Sequence, residues 1–504
     1  MSELQALFAE GFREPPRASR PLAWWHWMNG NISKDGIIKD LEWMARIGLG
    51  GVQNFDAALA TPLIVDHRLG YMTSDWQDAF RLAVSKASSL GLEYGIAGSP
   101  GWSESGGPWV KPEDGMKKVV WTETTVEGGA DIDVVLPQPP RCKGPFQDSL
   151  FVPHVCASAP AIQIDDYYAD ACVLAYPATE PSFLQPACVK DSGSLVSDPS
   201  ALFDGSYSTA LHITRGTANQ PGYLDLIFDR PVTARSLRVA VEANGRIYRK
   251  GDIDVEVQVS SDELNWRSVA HLEIMNGVPT TASFPAIESK HFRIVFHPSE
   301  PENPRAEYSR APGAIVPEVL PTSQPMIPVR EISLMAEARV DRSEMKSGFA
   351  IAADYYDLES EFPEHNPVNR SDVIDLSGHM DSDGRLRWQL PAGMWRILRL
   401  GYSLTGTLNH PATSEATGLE VDKYDAAAVR RYINQYLANF RDVLGGNLVG
   451  ENGLRSIIVD SIETGLANWT PRLVEKFIGL RGYDPTPWLP ALTGVIVESR
   501  AETD

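Results

Sequence analysis

The sequence predicts an α/β fold: an incomplete (β/α)8 barrel of the TIM type, interrupted by a large all-β insertion. Two observations predict the barrel segments at 1–120 and 395–504 and the insertion at 121–394. Strand-like apolar runs alternate with amphipathic helical patterns at both ends of the chain, while short β-like runs dominate the middle. The length of 504 residues also exceeds what one hydrophobic core usually supports.

The first barrel segment alternates strands and helices. Apolar runs predict strands at Leu22–Trp27, Gly51–Phe55 and Leu92–Ala97. One helix is predicted to begin after Ser33, a good N-cap residue, and a second at about Asp75, each with apolar residues three or four positions apart. Strands separated by such helices indicate a parallel sheet.

The sequence pattern of the insertion is typical of an antiparallel β structure, with frequent Pro and Gly and little helical periodicity. From about 196 to 336 the pattern is that of a β-sandwich. Its predicted strands are Tyr223–Phe228, Ser236–Val241, Val255–Ser260, Phe292–Phe296 and Glu331–Leu334.

The second barrel segment resumes the alternation. It predicts a strand at Trp395–Tyr402, a helix at Ala426–Leu444, a buried strand at Ser456–Asp460 and a helix beginning at Thr470. Only about five barrel strands can be counted in all, whereas a complete barrel has eight. The chain is therefore predicted to stop before its barrel closes.

Charge and composition exclude several partners. The net charge of −21 opposes unspecific binding to nucleic acids, and no run of 18 apolar residues predicts a membrane span. The amino terminus lacks the apolar core of a secretory signal, so a cytoplasmic location is expected, with a periplasmic one for full-length relatives.

Aromatic and polar side chains gather where the first and third strands end. The segment WWHWMNGN offers Trp25, His26 and Asn29, and the glycine-rich loop GSPGWSESGGPW offers Trp102. Rings that stack on C–H surfaces, beside amide and imidazole groups, are typical of a site for a neutral polyhydroxylated ligand. The alternative is that alternate tryptophans of this segment belong to the core, and one of Trp24 and Trp27 is expected to do so.

The segment SIIVDSIETGLANWTP supplies the predicted catalytic residues, Asp460 and Glu463. A carboxyl partly desolvated by Ile462 and Trp469 would have its acid form favoured, as a general acid requires. Asn468 and Trp469 are predicted to contact substrate. In the structural alternative, Asp460 binds loop amides and Glu463 faces the start of the next helix.

A second acidic stretch, NHPATSEATGLEVDKYD, contains four carboxylates near a strand-to-helix junction: Glu415, Glu420, Asp422 and Asp425. Carboxylates and carbonyls could hold Ca²⁺, although the spacing is not that of an EF-hand loop. Helix capping by Asp425 is the alternative. No other metal-ligand pattern is visible.

The opening segment FREPPRASRPLAWWHWMNGN, the loop GSPGWSESGGPWV, the segment EATGLEVDKYD and the segment VDSIETGLANWTPRLVEKF resemble α-L-rhamnosidases of glycoside hydrolase family 106. The resemblance covers the whole chain but only the N-terminal half of a typical member. It implies an interrupted barrel that hydrolyses terminal α-L-rhamnosyl linkages with inversion, assisted by calcium whose ligands are not assigned. The part at about 196–336 resembles galactose-binding-like sandwiches.

Carried over by motif, Glu463 corresponds to the general acid and Asp460 to the acidic residue before it. The family's second catalytic carboxylate is expected beyond Asp504. The implied partner is a rhamnose-containing glycoside or oligosaccharide. Two other hypotheses stay open: a catalytically inactive carbohydrate-binding fragment, and a barrel hydrolase for another sugar.

Overall fold

The computed structural model describes residues 3–58, 61–149, 162–178, 183–243, 250–299, 325–352, 356–358, 362–459 and 462–504. These residues form two compact units. The first unit draws on Met1–Met116, His154–Asp165 and Gly406–Gly465, and the second on Lys117–Pro153, Asp166–Thr405 and Leu466–Asp504.

The strands are, in chain order, β1 (Leu22–Met28), β2 (Gly51–Ala57), β3 (Glu93–Ala97), β4 (Lys117–Gly128), β5 (Asp131–Val135), β6 (Tyr168–Pro177), β7 (Cys188–Asp191), β8 (Ser194–Leu195), β9 (Leu211–Thr214), β10 (Gly216–Thr217), β11 (Gln220–Val241), β12 (Lys250–Ser260), β13 (Arg267–Met275), β14 (Thr280–Pro298), β15 (Met326–Met335), β16 (Ile374–Asp375), β17 (Arg385–Gln389), β18 (Gly393–Leu404) and β19 (Leu454–Ile458). The α-helices are α1 (Glu3–Arg13), α2 (Lys34–Arg46), α3 (Ser74–Ser89), α4 (Ser343–Lys346), α5 (Ala426–Leu444), α6 (Leu473–Arg481) and α7 (Arg500–Thr503). None of the helices in this described part is long and apolar enough to cross a membrane.

The first unit contains a parallel sheet with the strand order β1-β2-β3-β19. The predicted helices flank it, and Ser33 caps α2 by accepting a hydrogen bond from the backbone N of Gly36 at 3.1 Å. Ile37, Leu41 and Met44 of α2 are buried, as their spacing predicted. The βα pattern read from the sequence is confirmed for these elements.

One predicted barrel strand was placed wrongly. Trp395–Tyr402 lies in β18, which pairs antiparallel with β4 and β6 in the second unit. A short apolar run with both faces buried has the same sequence pattern in parallel and antiparallel sheets, so periodicity could not separate the two. Among the described residues the parallel sheet has four strands and is not closed into a barrel.

The second unit is built mainly of antiparallel strands. Nine of them form one sheet, whose principal path is β13-β12-β14-β11-β15-β9. All five strands predicted between 196 and 336 lie in this sheet, and two of them are parts of the single long strand β11, which has register shifts along its pairing with β14. The antiparallel prediction is confirmed. The likeness to galactose-binding sandwiches stays a prediction.

Helix α5 has the predicted bounds, and its buried face matches the predicted stripe in part. Apolar spacing predicts an inner stripe of Val429, Ile433, Tyr436, Leu437 and Phe440; Tyr436 and Phe440 are buried, whereas the other three are only partly buried. The buried residues are Ala428, Tyr432, Tyr436, Phe440, Val443 and Leu444. Tyr432 was not predicted, because a buried tyrosine hydroxyl needs a hydrogen-bond partner inside the unit.

Candidate active site at the carboxyl edge of the parallel sheet

Strand β1 has two faces with opposite surroundings. Trp25 and Trp27 are 8% and 1% exposed, and they pack in the core beneath the helices. Trp24 is 56% exposed and His26 is half-buried on the other face. Because side chains alternate along a strand, only the second face can meet a ligand.

His26 lies between two aromatic side chains on this open face. Its ring stacks on Phe55 of β2 with centroids 5.1 Å apart. The indole Nε1–H of Trp102 donates to Nε2 of His26 at 3.0 Å. Burial lowers the pKa of His26 below its ordinary value of 6.5. Since an indole N–H only donates, the neutral ring carries its proton on Nδ1, which can donate to a ligand hydroxyl.

The loop that carries Trp102 is held by the segment around His410. The backbone N of Trp102 donates to the carbonyl of His410 at 2.8 Å, and the backbone N of His410 donates to Oγ of Ser103 at 2.8 Å. Gly101 has φ +87°, and a Cβ there would lie 2.6 Å from the carbonyl carbon of His410. These contacts fix the loop, and with it the direction of the indole N–H.

Helix α5 supports the same loop from its buried face. The hydroxyl of Tyr432 donates to the carbonyl of Gly98 at 2.5 Å, and that of Tyr436 donates to the carbonyl of Ala97 at 2.9 Å. The two buried tyrosine hydroxyls thus provide hydrogen bonds for the carbonyl groups at the start of the loop. This explains why tyrosines occupy this face of the helix.

Asn29 forms a turn after β1, with φ 54°. Its Nδ2 donates to the carbonyl of Thr61 at 2.9 Å, and its backbone oxygen and Oδ1 accept from Nε of Arg68. Arg68 also pairs with Glu415, whose Oε1 accepts from the backbone N of Tyr71 at 2.9 Å. Burial alone would raise the pKa of Glu415, but these hydrogen bonds and the guanidinium outweigh it and lower that pKa.

Sequence reasoning missed Asp56, which pairs in register with Trp27 at the end of β2. Its Oδ2 accepts from Nε1 of Trp76 at 3.0 Å, while its Oδ1 is buried without a hydrogen-bond partner among the described residues. Burial raises the pKa of Asp56 to about 7. The available signal was NFDA, a carboxylate ending an apolar strand, the same pattern that singled out Asp460.

The structure corrects the predicted surroundings of Glu463. Its side chain is exposed, and Asp460 lies outside the described residues. Ile462 is 68% exposed, and Trp469 is 3% exposed in a core cluster of the second unit. The prediction that Ile462 and Trp469 partly desolvate the Glu463 carboxyl is therefore wrong, because the Ile462 side chain is in solvent and that of Trp469 is packed in a hydrophobic core.

Two tryptophans predicted to contact substrate are core residues instead. Trp25 packs against Trp27 and donates from Nε1 to Oδ2 of Asp40 in α2 at 3.1 Å. Trp469 stacks on Tyr402 with centroids 6.3 Å apart. A buried ring has no free face for a sugar, and alternation along the strand explains Trp25.

The side chain of Asn468 also has a structural role. Its Oδ1 accepts from the backbone N of Val119 at 2.9 Å, and its Nδ2 donates to the carbonyl of Ser347 at 2.8 Å. Both ends of the amide thus bind backbone groups within the second unit. Asn468 therefore links its own segment to those of Val119 and Ser347 by hydrogen bonds, instead of making the predicted contact with substrate.

The carboxylates of the acidic stretch are bound largely by other groups of the protein. Glu415 is bound as described above, and Oε2 of the fully buried Glu420 accepts from Ser105 at 2.6 Å and from Lys423 at 2.8 Å. Asp425 caps α5, as predicted. No group of three or more His, Cys, Asp or Glu side chains in the described part of the chain could hold a metal ion. Most of these carboxylate oxygens have cationic or amide partners, whereas Oε1 of Glu420 is buried without a hydrogen-bond partner among the described residues, and calcium binding stays a prediction.

Comparisons with known proteins agree along the whole chain. Residues 13–504 match a family model described as alpha-L-rhamnosidase. A solved rhamnosidase from Novosphingobium sp. PP1Y is 44% identical, with a TM-score of 0.82, over 98% of this chain and 43% of that one. A protein of Formosa agariphila named "Putative beta-glucuronidase" is 26% identical over 494 residues, or 98% of this chain and 27% of its own length. The chain thus spans less than half the length of these relatives.

Proposed function

The chain belongs to the alpha-L-rhamnosidase family of glycoside hydrolases, and from this premise we propose that it carries part of an active site that hydrolyses terminal α-L-rhamnosyl linkages. The observation that carries the proposal is the agreement of 98% of the chain with a rhamnosidase structure at a TM-score of 0.82. The carboxyl edge of a parallel sheet is also where barrel enzymes place their reacting groups.

The open face of β1 supplies the sugar-binding part of the proposed site. Neutral His26 donates from Nδ1–H to a hydroxyl of the rhamnosyl ring, and Trp102 holds the imidazole through Nε2. The exposed indole of Trp24 offers a ring face to the apolar C–H surface of the sugar. A uniformly neutral set of contacts suits a deoxy sugar, which carries no charge.

Glu463 is the proposed general acid. It follows β19 at the same carboxyl edge, and its exposed side chain is accessible to a glycosidic oxygen. Protonating that oxygen makes the aglycone a better leaving group, because the departing alkoxide no longer bears the full charge. Asp460, three residues earlier, is proposed to orient this loop.

We propose inversion at the anomeric carbon. A second carboxylate, about 6.5–9.5 Å from the first, would remove a proton from the attacking water on the opposite face of the sugar. We place this base in the part of the longer relatives that the present chain does not span. Calcium stays a prediction from the family resemblance, and no step is derived through it.

The acid role is tested by Glu463→Gln in the complete protein. The kcat/KM for rhamnosides with poor alkyl leaving groups should fall by about 10²–10⁴-fold, since general acid catalysis contributes that much. Nitrophenyl rhamnosides need less protonation and should lose about tenfold or less. Glu451→Gln, an exposed carboxylate before β19, is the matched control and should leave both substrates unaffected.

Equal losses on the two leaving groups would exclude Glu463 as the acid. Proton NMR of the first sugar released should show the anomer opposite to that of the substrate.

The name of the Formosa agariphila relative favours a second candidate function, hydrolysis of a glucuronide. Cleavage of an aryl β-D-glucuronide without cleavage of the aryl α-L-rhamnoside would support that candidate and reject ours.

A further inference from the structure

A groove of about 640 Å³ lies on the antiparallel sheet of the second unit. Its floor is formed by Tyr223 of β11, Gln258 of β12, and Arg293 and His297 of β14. These side chains alternate with residues of the same strands that are fully buried in the core: Leu224, Val257, Ile294 and Phe296. The floor is therefore the outer face of the sheet, and we call the cavity the sheet groove.

The floor residues form a continuous surface across three strands. Asp225, Arg293 and Gln258 are direct neighbours in the pairing of β11, β14 and β12. Side chains at such paired positions lie about 5 Å apart, so they present one platform rather than isolated groups. One wall is formed by Ser192, after β7, and another by the turn from Thr214 to Gln220.

Charges on the floor are paired within the protein. Arg293 donates to both carboxylate oxygens of Asp225, at 2.6 and 3.1 Å, and its guanidinium stacks 3.8 Å from the ring centre of Tyr223 and 3.9 Å from that of Trp266. His297 contacts Glu256 at 3.0 Å. Because these charged groups have opposite partners, the groove does not select an ionic ligand.

Hydroxyl and amide groups line the rest of the groove. Ser192, Thr214, Thr217 and Gln220 are exposed, and Gln258 is half-exposed on the floor. Such groups offer both donors and acceptors, as a polyhydroxylated ligand requires. The volume lies within the range of about 300–1,000 Å³ that ligand sites occupy.

We propose that the sheet groove binds a neutral oligosaccharide. This site lies entirely in the second unit and uses none of His26, Trp102 or Glu463, so it goes beyond the proposed hydrolysis. Its role is to hold a glycan chain by contacts that do not include the scissile bond. The paired charges distinguish this occupant from an acidic glycan, which would need an unpaired cation.

The test is calorimetric titration of the complete protein carrying Glu463→Gln. The probes are four neutral trisaccharides (an α-linked rhamnotriose, a β-linked galactotriose, maltotriose and cellotriose) and trigalacturonate. At least one neutral probe should bind. Its affinity should fall about fivefold in Gln258→Ala and in Gln220→Ala, the expected loss for one hydrogen bond. Gln220 is exposed, so its truncation keeps the test valid if Gln258→Ala does not fold.

Gln389→Ala, an exposed glutamine of the separate β5–β17 sheet, is the matched control and should leave affinity unchanged. Failure of all four neutral probes to bind, or binding of trigalacturonate alone, overturns the proposal. So does binding that both groove variants leave intact while His26→Ala removes it, because the ligand would then occupy the edge of the parallel sheet. None of these binding results depends on hydrolysis. The groove proposal and the proposed hydrolytic activity are therefore tested independently of each other.

Discussion

The two faces of β1 have opposite surroundings. Trp27 is 1% exposed and packs edge-on against Trp76 and Phe80, with centroids 5.7 and 6.1 Å apart. Trp24, three residues earlier, is 56% exposed. The same residue type thus serves as core on one face and as an accessible ring on the other, and its position in the alternation decides which.

Replacing the two tryptophans should separate the faces most clearly. Trp27→Ala should lower the free energy of unfolding by about 3–5 kcal/mol, because it leaves a large cavity in the core. Trp24→Ala should cost about 1 kcal/mol or less, since its ring is mainly in solvent. Urea unfolding followed by circular dichroism measures both, and equal losses would contradict the assignment of the two faces.

Asp56 of β2 is a buried carboxylate beside Trp27 on the core side, and Asp56→Asn should sharpen the comparison. Burial raises the pKa of Asp56 from 3.8 to about 7. The folded state therefore favours the protonated form. Its contribution to stability is present below pH 4 and is lost as pH rises through about 7.

The wild-type protein should consequently lose about 3 kcal/mol relative to Asp56→Asn between pH 5 and pH 8, because the loss of about 1.4 kcal/mol per pH unit ends near the folded-state pKa of about 7. Asparagine keeps an acceptor for Trp76 and has no charge to bury. Denaturant unfolding at the two pH values, on both proteins, gives the difference. A constant gap between them would show that Asp56 does not titrate in this range.

Trp102→Phe should have the smallest effect and tests the open face. It keeps a ring but removes the N–H that binds Nε2 of His26. The pKa of His26 should rise, and kcat/KM for a rhamnoside should fall about tenfold, equivalent to one lost hydrogen bond. Proton NMR titration of the histidines checks the pKa, with His26→Gln used to assign the signal.

Trp109→Phe is the matched control for that experiment. The Nε1 of Trp109 is buried without a hydrogen-bond partner, and its ring packs on Tyr432 and Tyr436. Removing this N–H should leave the pKa of His26 unchanged. A shift of equal size in both variants would indicate a general loosening of the loop rather than the loss of one specific contact.

Local patterns predicted much of the fold because they depend on short-range periodicity. The strand at Gly51–Ala57, the cap at Ser33 and the bounds of α5 follow from apolar spacing and turn chemistry within a few residues. Strand pairing was not predictable in the same way. The run at Trp395–Tyr402 has the pattern of a buried strand, yet its partners β4 and β6 are far away in the chain.

The sequence by itself determined the family, the parallel βα units and the residue types at the edge of the sheet, because short motifs and periodicity carry that information. Only the tertiary structure decided that Trp25 and Trp469 are core, that Glu463 is exposed, and that His26 is bound by Trp102. Exposure and long-range hydrogen bonds depend on which distant segments meet, and a linear pattern does not encode that directly.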